Sequence, residues 1–352
     1  MRIEAASIEP YRAALTRPLR TSRASLSVRA GFLLRLRTEG GLEGVGEAAP
    51  AYWLGGEQLL DTHASLKKIS AAAAGLGSST RLRQWAFGSD AVRRHLSKAA
   101  LCALDCALLD LESRAAGISV AETLGGNAGA VMAGCALIGG DRPQAVAADA
   151  RRMVRRGFRC LKLKLGVAST RADLARVQAV RGAVGDAVEL RLDANRAWSF
   201  DQAQEVFAAI ARLKIQFVEE PLRCAAPAEL KRLRAGSGVA IALDESAIDR
   251  HVLEQYVREG AADVLVLKAA RVGGLSAGIE LARSARDLGL GVVVTDSIET
   301  EVGMSAALHL AAAIPAPHLA IGLGGSIWFG SEAAGRFTDA PAVLTLHGPG
   351  LG

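Results

Sequence analysis

Aromatic side chains are scarce in this 352-residue chain, at 4% of the whole. Surfaces that bind nucleic acid interleave basic tracts with aromatics. No such tract occurs here despite a formal charge of +6, so no nucleic-acid partner is expected. Much of the excess is arginine on helical surfaces, as at Arg151, Arg152, Arg155 and Arg156. That charge would instead steer a small anionic substrate. Cysteine is sparse as well: Cys102, Cys106, Cys135, Cys160 and Cys224, with no CxxC. These read as buried free thiols in a reducing compartment. No apolar run approaches the length of a membrane span. Met1 leads directly into a strand-like stretch and not into an apolar leader. The expected location is cytoplasmic, with no membrane partner. Finally, no GxGxxG follows a strand. Gly322-Leu323-Gly324-Gly325 lacks the third glycine, which excludes a dinucleotide fingerprint.

What is present is a large core, since half of the chain is hydrophobic. Residues 1 to 50 read as a β-meander. Gly31–Arg37 is a strand, Thr38–Gly41 a turn and Leu42–Ala48 the return. Pro18–Ser25 and Pro50–Gly56 are read as irregular loops, the second with Tyr52 and Trp53 at its centre. Trp53 has two readings there, cover for a minor core or contact with substrate. From Gln58 to Arg114 the pattern is helical, most clearly over Lys98–Arg114. Residues 1–125 thus form an α+β unit. The texture then changes to eight strand-like runs with amphipathic segments between most of them. The runs are Met132–Ile138, Phe158–Lys164, Val188–Asp193, Gln216–Glu219, Val239–Leu243, Asp263–Lys268, Gly291–Val294 and His318–Leu323. Eight such units predict an α/β fold, a (β/α)8-type barrel over 126–325. Residues 326–352, with one more strand, would pack back on the N-terminal unit as part of an α+β capping domain.

The polar residues follow the repeat. Lys162 and Lys164 share one face of the second barrel strand, opposite Leu161, Leu163 and Leu165. Asp193, Glu219, Asp244 and Lys268 end the next four strands, about 25 residues apart. Barrels of this kind build active sites at the carboxyl ends of their strands. Any one of these residues could be a salt-bridged barrel residue; six at one-repeat spacing point to a site. Three neighbouring carboxylates need a hard cation, Mg2+ with Mn2+ as its substitute. The lysines then flank a metal-bound substrate from two sides, and burial would lower a lysine pKa toward that of a base. The chemistry implied is removal of a proton α to the carboxylate of a small molecule.

The Lys162-x-Lys164 pair, Asp193-x-Asn195, Glu219-Glu220-Pro221, Asp244-Glu245-Ser246 and Lys268 resemble the muconate-lactonizing subgroup of the enolase superfamily. The resemblance covers essentially the whole chain. It implies that Asp193, Glu219 and Asp244 bind Mg2+, backed by Asn195, Glu220 and Glu245. It makes Lys164 and Lys268 the acid/base pair, with Lys162 assisting electrostatically. Cap loops carrying Thr21, Ser22, Tyr52 and Trp53 would close over the substrate, facing Ser297, Glu299, Gly322 and Gly324 across the barrel mouth. Members are often homo-oligomers, though no interface is legible here. Dipeptide epimerases of the subgroup typically carry an Asp-x-Asp after the eighth strand. Here that place reads Gly322-Leu323-Gly324-Gly325-Ser326, which argues against a cationic substrate end. Segments around Arg17–Ser22, Gly46–Pro50, Trp53–Glu57, Ser297–Thr300 and Gly322–Phe329 are similar to o-succinylbenzoate synthases. The activity expected on that likeness is syn dehydration of 2-succinyl-6-hydroxy-2,4-cyclohexadiene-1-carboxylate, a step toward menaquinone. The alternatives are a racemase of N-acylamino acids or epimerase of dipeptides, a muconate cycloisomerase and, from another class, a non-catalytic Mg2+-binding scaffold.

Overall fold

The computed structural model describes residues 1–22, 24–54, 56–224, 226–247, 249–315, 319–324, 328–337 and 342–352. Strands β1 (Ile3–Arg20), β2 (Ser25–Thr38) and β3 (Glu43–Ala48) form the expected antiparallel meander. Gly41, at φ 78, closes the second turn by donating its N–H to the Thr38 carbonyl at 2.9 Å. Pro18–Ser25 is not irregular throughout, however. β1 runs on to Arg20 and β2 opens at Ser25. Leu19 pairs with Leu26, and both are buried in an apolar cluster with Trp328, so apolar burial carries the hairpin past Pro18. A register shift between Ala14 and Leu19 accommodates the proline, which has no N–H for the ladder.

The meander lies on the helix Lys98–Ala116. Gly44 and Gly46 fall on one face of β3. A Cβ on Gly46 would stand 2.0 Å from the Ala103 carbonyl oxygen, and one on Gly44 2.3 Å from that of Ala107. Glycines two apart on the strand and alanines four apart on the helix therefore let the two backbones touch.

Seven parallel strands follow: β5 (Cys135–Ile138), β6 (Cys160–Lys164), β7 (Glu189–Asp193), β8 (Ile215–Glu219), β9 (Ile241–Leu243), β10 (Val264–Leu267) and β11 (Gly291–Val294). They pair strictly in sequence order. The expected first barrel run, Met132–Ile138, is divided. β4 (Val131–Ala133) leaves the barrel to pair antiparallel with β12 (Val343–Thr345), and Gly134 separates it from β5. The expected eighth strand is reduced to two bridging residues, and its first residue, His318, lies outside the described residues. Ile321 bridges Gly134 and Gly322 bridges Thr295. Ile321 and Cys135 donate to the carbonyls of Ala133 and Ile321, and Gly322 and Asp296 to those of Val294 and Gly322, at 2.8–3.1 Å. The ring thus closes at an eighth position. Among the described residues it is followed by the four-residue helix Ser331–Ala334 and the 3-10 turn Gly335–Phe337, whereas a longer helix follows each of the seven strands before it.

Leu161, Leu163 and Leu165 point outward into the core between strands and helices. Phe217, Ala242, Val264, Val266 and Val293 fill the barrel interior. Cys102, Cys106, Cys135 and Cys160 are buried as expected, but Cys224 is exposed on the connection after β8. Among the described residues no helix is long and apolar enough to cross a membrane.

Cap and barrel are joined by buried polar groups. Asp105 accepts from Ser276 N and Oγ at 2.8 and 2.9 Å. Within the cap, Asp110 ties its helix to β3 and to the C-terminal return, accepting from Val45 N at 3.0 Å and Leu351 N at 2.8 Å. His309, in the helix Glu301–Ala313, accepts the Ala121 N–H on Nδ1 at 3.1 Å. Burial holds this imidazole down at about 4. The unfolded chain titrates near 6.5, so between those values it binds more protons than the folded chain, and stability falls as the pH falls. We expect His309→Gln to flatten the acid limb of the stability curve between pH 6.5 and 4.5 by about 2 kcal/mol. Urea titrations across that range measure it, and an unchanged limb would assign the acid sensitivity elsewhere.

Candidate active site at the strand ends

Strand register places Lys164, Asp193 and Glu219 in one row across β6, β7 and β8. Asp244 and Lys268 are the residues that follow β9 and β10. The six residues expected to converge do so, as a mesh of ion pairs. Lys162 Nζ lies 2.6 Å from Glu219 Oε2 and 2.9 Å from Asp193 Oδ2. Lys164 Nζ lies 2.6 Å from the same Asp193 oxygen and donates to Asn195 Oδ1 at 2.9 Å. On the far side Lys268 Nζ pairs with Asp244 Oδ2, and Glu219 Oε1 stands 4.0 Å from it.

This mesh corrects the expectation of a lowered lysine pKa. Burial alone would pull Lys162 down, but Asp193 and Glu219 outweigh it and hold the ammonium above its ordinary value. Lys268 is raised in the same way, with Asp244 and Glu219 overcoming burial. The carboxylates divide. Burial would raise Asp193, yet Lys162 and Lys164 hold it well below the usual range. Asp244 is likewise lowered against burial by Arg271 and Lys268. Glu219 moves the other way, up to about 7, because burial and the adjacent Asp193 charge prevail over its lysines.

As placed, no group of three His, Cys, Asp or Glu side chains among the described residues is disposed to hold a metal ion. The lysine ammoniums hold the three carboxylates instead, so the expected triad is present as residues but not as a closed coordination sphere. The donor chemistry still fits a hard cation. Asp193, Glu219 and Asp244 are buried carboxylates from adjacent strand ends, and Glu219 Oε1 has no hydrogen-bond partner among the described residues.

The expected supports differ in what they do. Asn195 N donates to Asp193 Oδ1 at 3.0 Å while its side chain meets Lys164. Glu220 accepts from Asp244 N and Ser246 N at 2.8 and 2.7 Å and pairs with Arg196 at 3.1 Å, which fixes the turn carrying Asp244. Neither oxygen of Glu245 has a hydrogen-bond partner among the described residues. Burial, then Asp244 and Glu220, push its carboxyl up to about 7. Strain concentrates at the same rim. Asn195, Arg196, Glu220 and Ile298 all have φ between 43 and 62, and for branched Ile298 such a backbone is a genuine outlier.

The mesh floors a cavity of about 840 Å3, counted to its open mouth. Lys162, Lys164, Lys268, Asn195 and Glu219 line it, as do five of the expected substrate positions: Thr21, Trp53, Ser297, Gly322 and Gly324. Three others do not. Ser22 ties cap to barrel by donating to the Asn195 carbonyl at 2.8 Å. The Tyr52 hydroxyl donates to the Val28 carbonyl at 3.0 Å, and its ring stands edge-on to Trp53. Glu299 is buried behind the rim, where its carboxylate accepts from Ser297 N at 3.2 Å. Burial, followed by Glu47 and Asp296, raises it to about 8. Trp53 lines the cavity and packs on the Leu19–Leu26 cluster. The buried Arg29 guanidinium lies 4.5 Å from its ring centroid and donates to the Ile298 carbonyl at 2.8 Å. Arg29 thereby links the cap turn to the strained barrel loop.

Four charged or aromatic lining residues escaped the sequence reading. Arg191 lies two before Asp193 and so points inward by alternation, a signal that was available; it stacks over Phe217 at 5.0 Å. Phe217 lies two before Glu219 in the same way. Arg271, paired with Asp244 at 3.1 Å, had only a helical surface context. Asp296 lies two residues past β11, one beyond Thr295, which stands level with Lys268.

Residues 145–352 match the family described as enolase C-terminal domain-like. Residues 2–125 match the mandelate racemase / muconate lactonizing enzyme N-terminal domain. The chain is 32% identical to a hydrophobic dipeptide epimerase of Enterococcus faecalis over 80% of this chain and 78% of the relative. It is 31% identical to a chloromuconate cycloisomerase of Cupriavidus pinatubonensis over 69% of this chain and 64% of the relative. A solved dipeptide epimerase from Enterococcus faecalis V583, complexed with Mg and the dipeptide L-Leu-L-Tyr, superposes with a TM-score of 0.88 at 27% identity. That match covers 100% of this chain and 99% of the other. With both domain matches on a capped barrel, the chain belongs to the enolase superfamily.

Proposed function

We propose that this chain is an isomerase that removes the proton α to a substrate carboxylate on one face and returns it on the other, as an epimerase of dipeptides. One observation carries the reading: Lys164 and Lys268 line a single cavity from strands four positions apart in an eight-position ring. A substrate between them presents its α-carbon to an amine on each face, the arrangement a 1,1-proton transfer needs. The epimerase relatives support the same reading.

In this scheme Asp193, Glu219 and Asp244 would hold Mg2+, whose positive charge would face the substrate carboxylate and make the α-proton more acidic. Lys268, kept charged by Asp244, is the resting proton donor, and Lys164, after giving up its own proton to solvent, is the acceptor. Their roles exchange in the reverse direction. Lys162 stays an ammonium between Asp193 and Glu219 and faces the negative charge that builds on the substrate. Asn195 holds the Lys164 amine at 2.9 Å, which fixes its approach. Trp53 and Ile298 form an apolar lip that limits water at the carbanion.

A second reading, cycloisomerisation of a muconate, uses the same lysines and is favoured by the cycloisomerase relatives. The dehydration expected from loop likeness has no such support. The test is proton NMR in D2O with Mg2+ and L-Leu-L-Tyr, an N-acylamino acid or cis,cis-muconate. We expect the α-proton signal of the dipeptide's C-terminal residue to disappear and the epimer to accumulate. Lactone from muconate, with no exchange elsewhere, would establish the second reading. Inertness toward all three would sink both.

A further inference from the structure

We propose that Asp296 anchors a substrate ammonium group, so that the site selects substrates with a free amine distant from the carboxylate. The inference rests on the α-proton chemistry above and names the substrate class within it.

The three carboxylates of the mesh are committed to cations. Asp193 carries Lys162 and Lys164, Glu219 carries Lys162, and Asp244 carries Lys268 and Arg271. Asp296 lines the same cavity, is 8% exposed, and its Oδ2 has no hydrogen-bond partner among the described residues. Backbone amides of its own turn, including those of Ile298 and Glu299, steady the carboxylate. Lys268, a cation that acts on it, is already bound to Asp244. A buried carboxylate oxygen without a partner is costly, and a cationic ligand would remove that cost. Burial pushes Asp296 only to about 6, which leaves it ionised at neutral pH.

The cavity is therefore polarised. Lys162, Lys164 and Lys268 suit a substrate carboxylate, and Asp296 suits a positive group further along. A dipeptide has both ends. An N-acylamino acid lacks the second, and a muconate would place its other carboxylate near a like charge. The neighbouring strand position leaves no room for an alternative anchor. A Cβ on Gly322 would meet Thr295 Cγ2 at 2.6 Å, and one on Gly324 would meet Leu137 N at 2.9 Å. Asp296 N donates to the Gly322 carbonyl at 3.1 Å, so the carboxylate is borne immediately beside the position that cannot carry one. Glycine at 322 and 324 thus does not exclude a cationic substrate end.

The experiment compares α-proton exchange of L-Leu-L-Tyr with that of N-acetyl-L-Leu-L-Tyr, which keeps every group except the charge. The native protein should prefer the free amine by about a hundredfold in kcat/KM. Asp296→Asn should remove that preference, through KM for the free dipeptide, with little change for the acetylated one. An equal fall for both substrates would mean a merely structural role and overturn the proposal. If the variant does not fold, the native ratio alone decides, and a ratio near one refutes the anchor. Exchange without discrimination leaves the α-proton chemistry standing. Absence of exchange from both peptides and from N-acylamino acids removes that reading together with the anchor.

Discussion

Lys164→Ala lowers epimerisation of a dipeptide by about a thousandfold, and Lys268→Ala does the same, yet the two losses differ in kind. Each amine serves one face of the α-carbon. The variant that lacks one base still has the other, so it continues to wash deuterium into one epimer while the opposite epimer stays inert. Proton NMR of both epimers in D2O, run with each variant, reads this directly. The expected pattern is reciprocal. Loss of exchange from both epimers in either variant would overturn the two-base assignment and leave one lysine with only an electrostatic part. Asp193 keeps Lys162 at 2.9 Å when Lys164 is removed, so the buried carboxylate is not stranded and the comparison stays clean.

Glu47→Ala should cost about 4 kcal/mol of folding stability. Glu47 is buried on β3, yet all but one of its partners lie in the barrel. It accepts from Thr300 N at 3.1 Å, Thr300 Oγ1 at 2.6 Å and Gly303 N at 2.9 Å, and from the Tyr11 hydroxyl within the cap. These amides open the helix Glu301–Ala313, whose N-terminal dipole favours an anion. Alanine would leave several buried donors unmatched at once. Glu47→Gln, which keeps an acceptor oxygen but not the charge, should lose about half as much. Urea unfolding with an unchanged slope measures both. A loss below about 1 kcal/mol for alanine would show that water replaces the carboxylate there. The loop from Asp296 to Thr300 hangs from the same tie, so the alanine variant should also bind substrate less well.

Much of the catalytic arrangement was legible because a strand makes one decision per residue, in or out. Once Asp193, Glu219, Asp244 and Lys268 are placed one repeat apart, alternation sends them all to one rim. The same logic reaches Arg191 and Phe217, two positions before a rim residue. The lysine charge states were not legible, since they depend on distances between strands. Burial by itself predicts a neutral amine, and only the 2.6–2.9 Å carboxylate contacts reverse the sign. Loop geometry was the least accessible. Ser22, Tyr52 and Glu299 are polar or aromatic residues in the expected segments, but each is turned toward protein backbone, and composition does not reveal which way a turn faces. The eighth strand failed for a different reason. An apolar run can close a ring with two residues and then turn away, and periodicity counts the run, not the rungs.

The seam at Ile321 and Gly322 also sets the order in which the protein can assemble. Neighbouring barrel strands are joined by short loops and local helices, and each can zip onto the one before as it leaves the ribosome. The seam instead unites the first and last positions of the ring, and β12 must then return to β4. Such contacts between distant parts of the chain form late, because long-range closure entropy precedes their reward. An open crescent with two unsatisfied edges is therefore the species that nascent chains present, and the seam is where chaperone capture and domain swapping would have their opportunity.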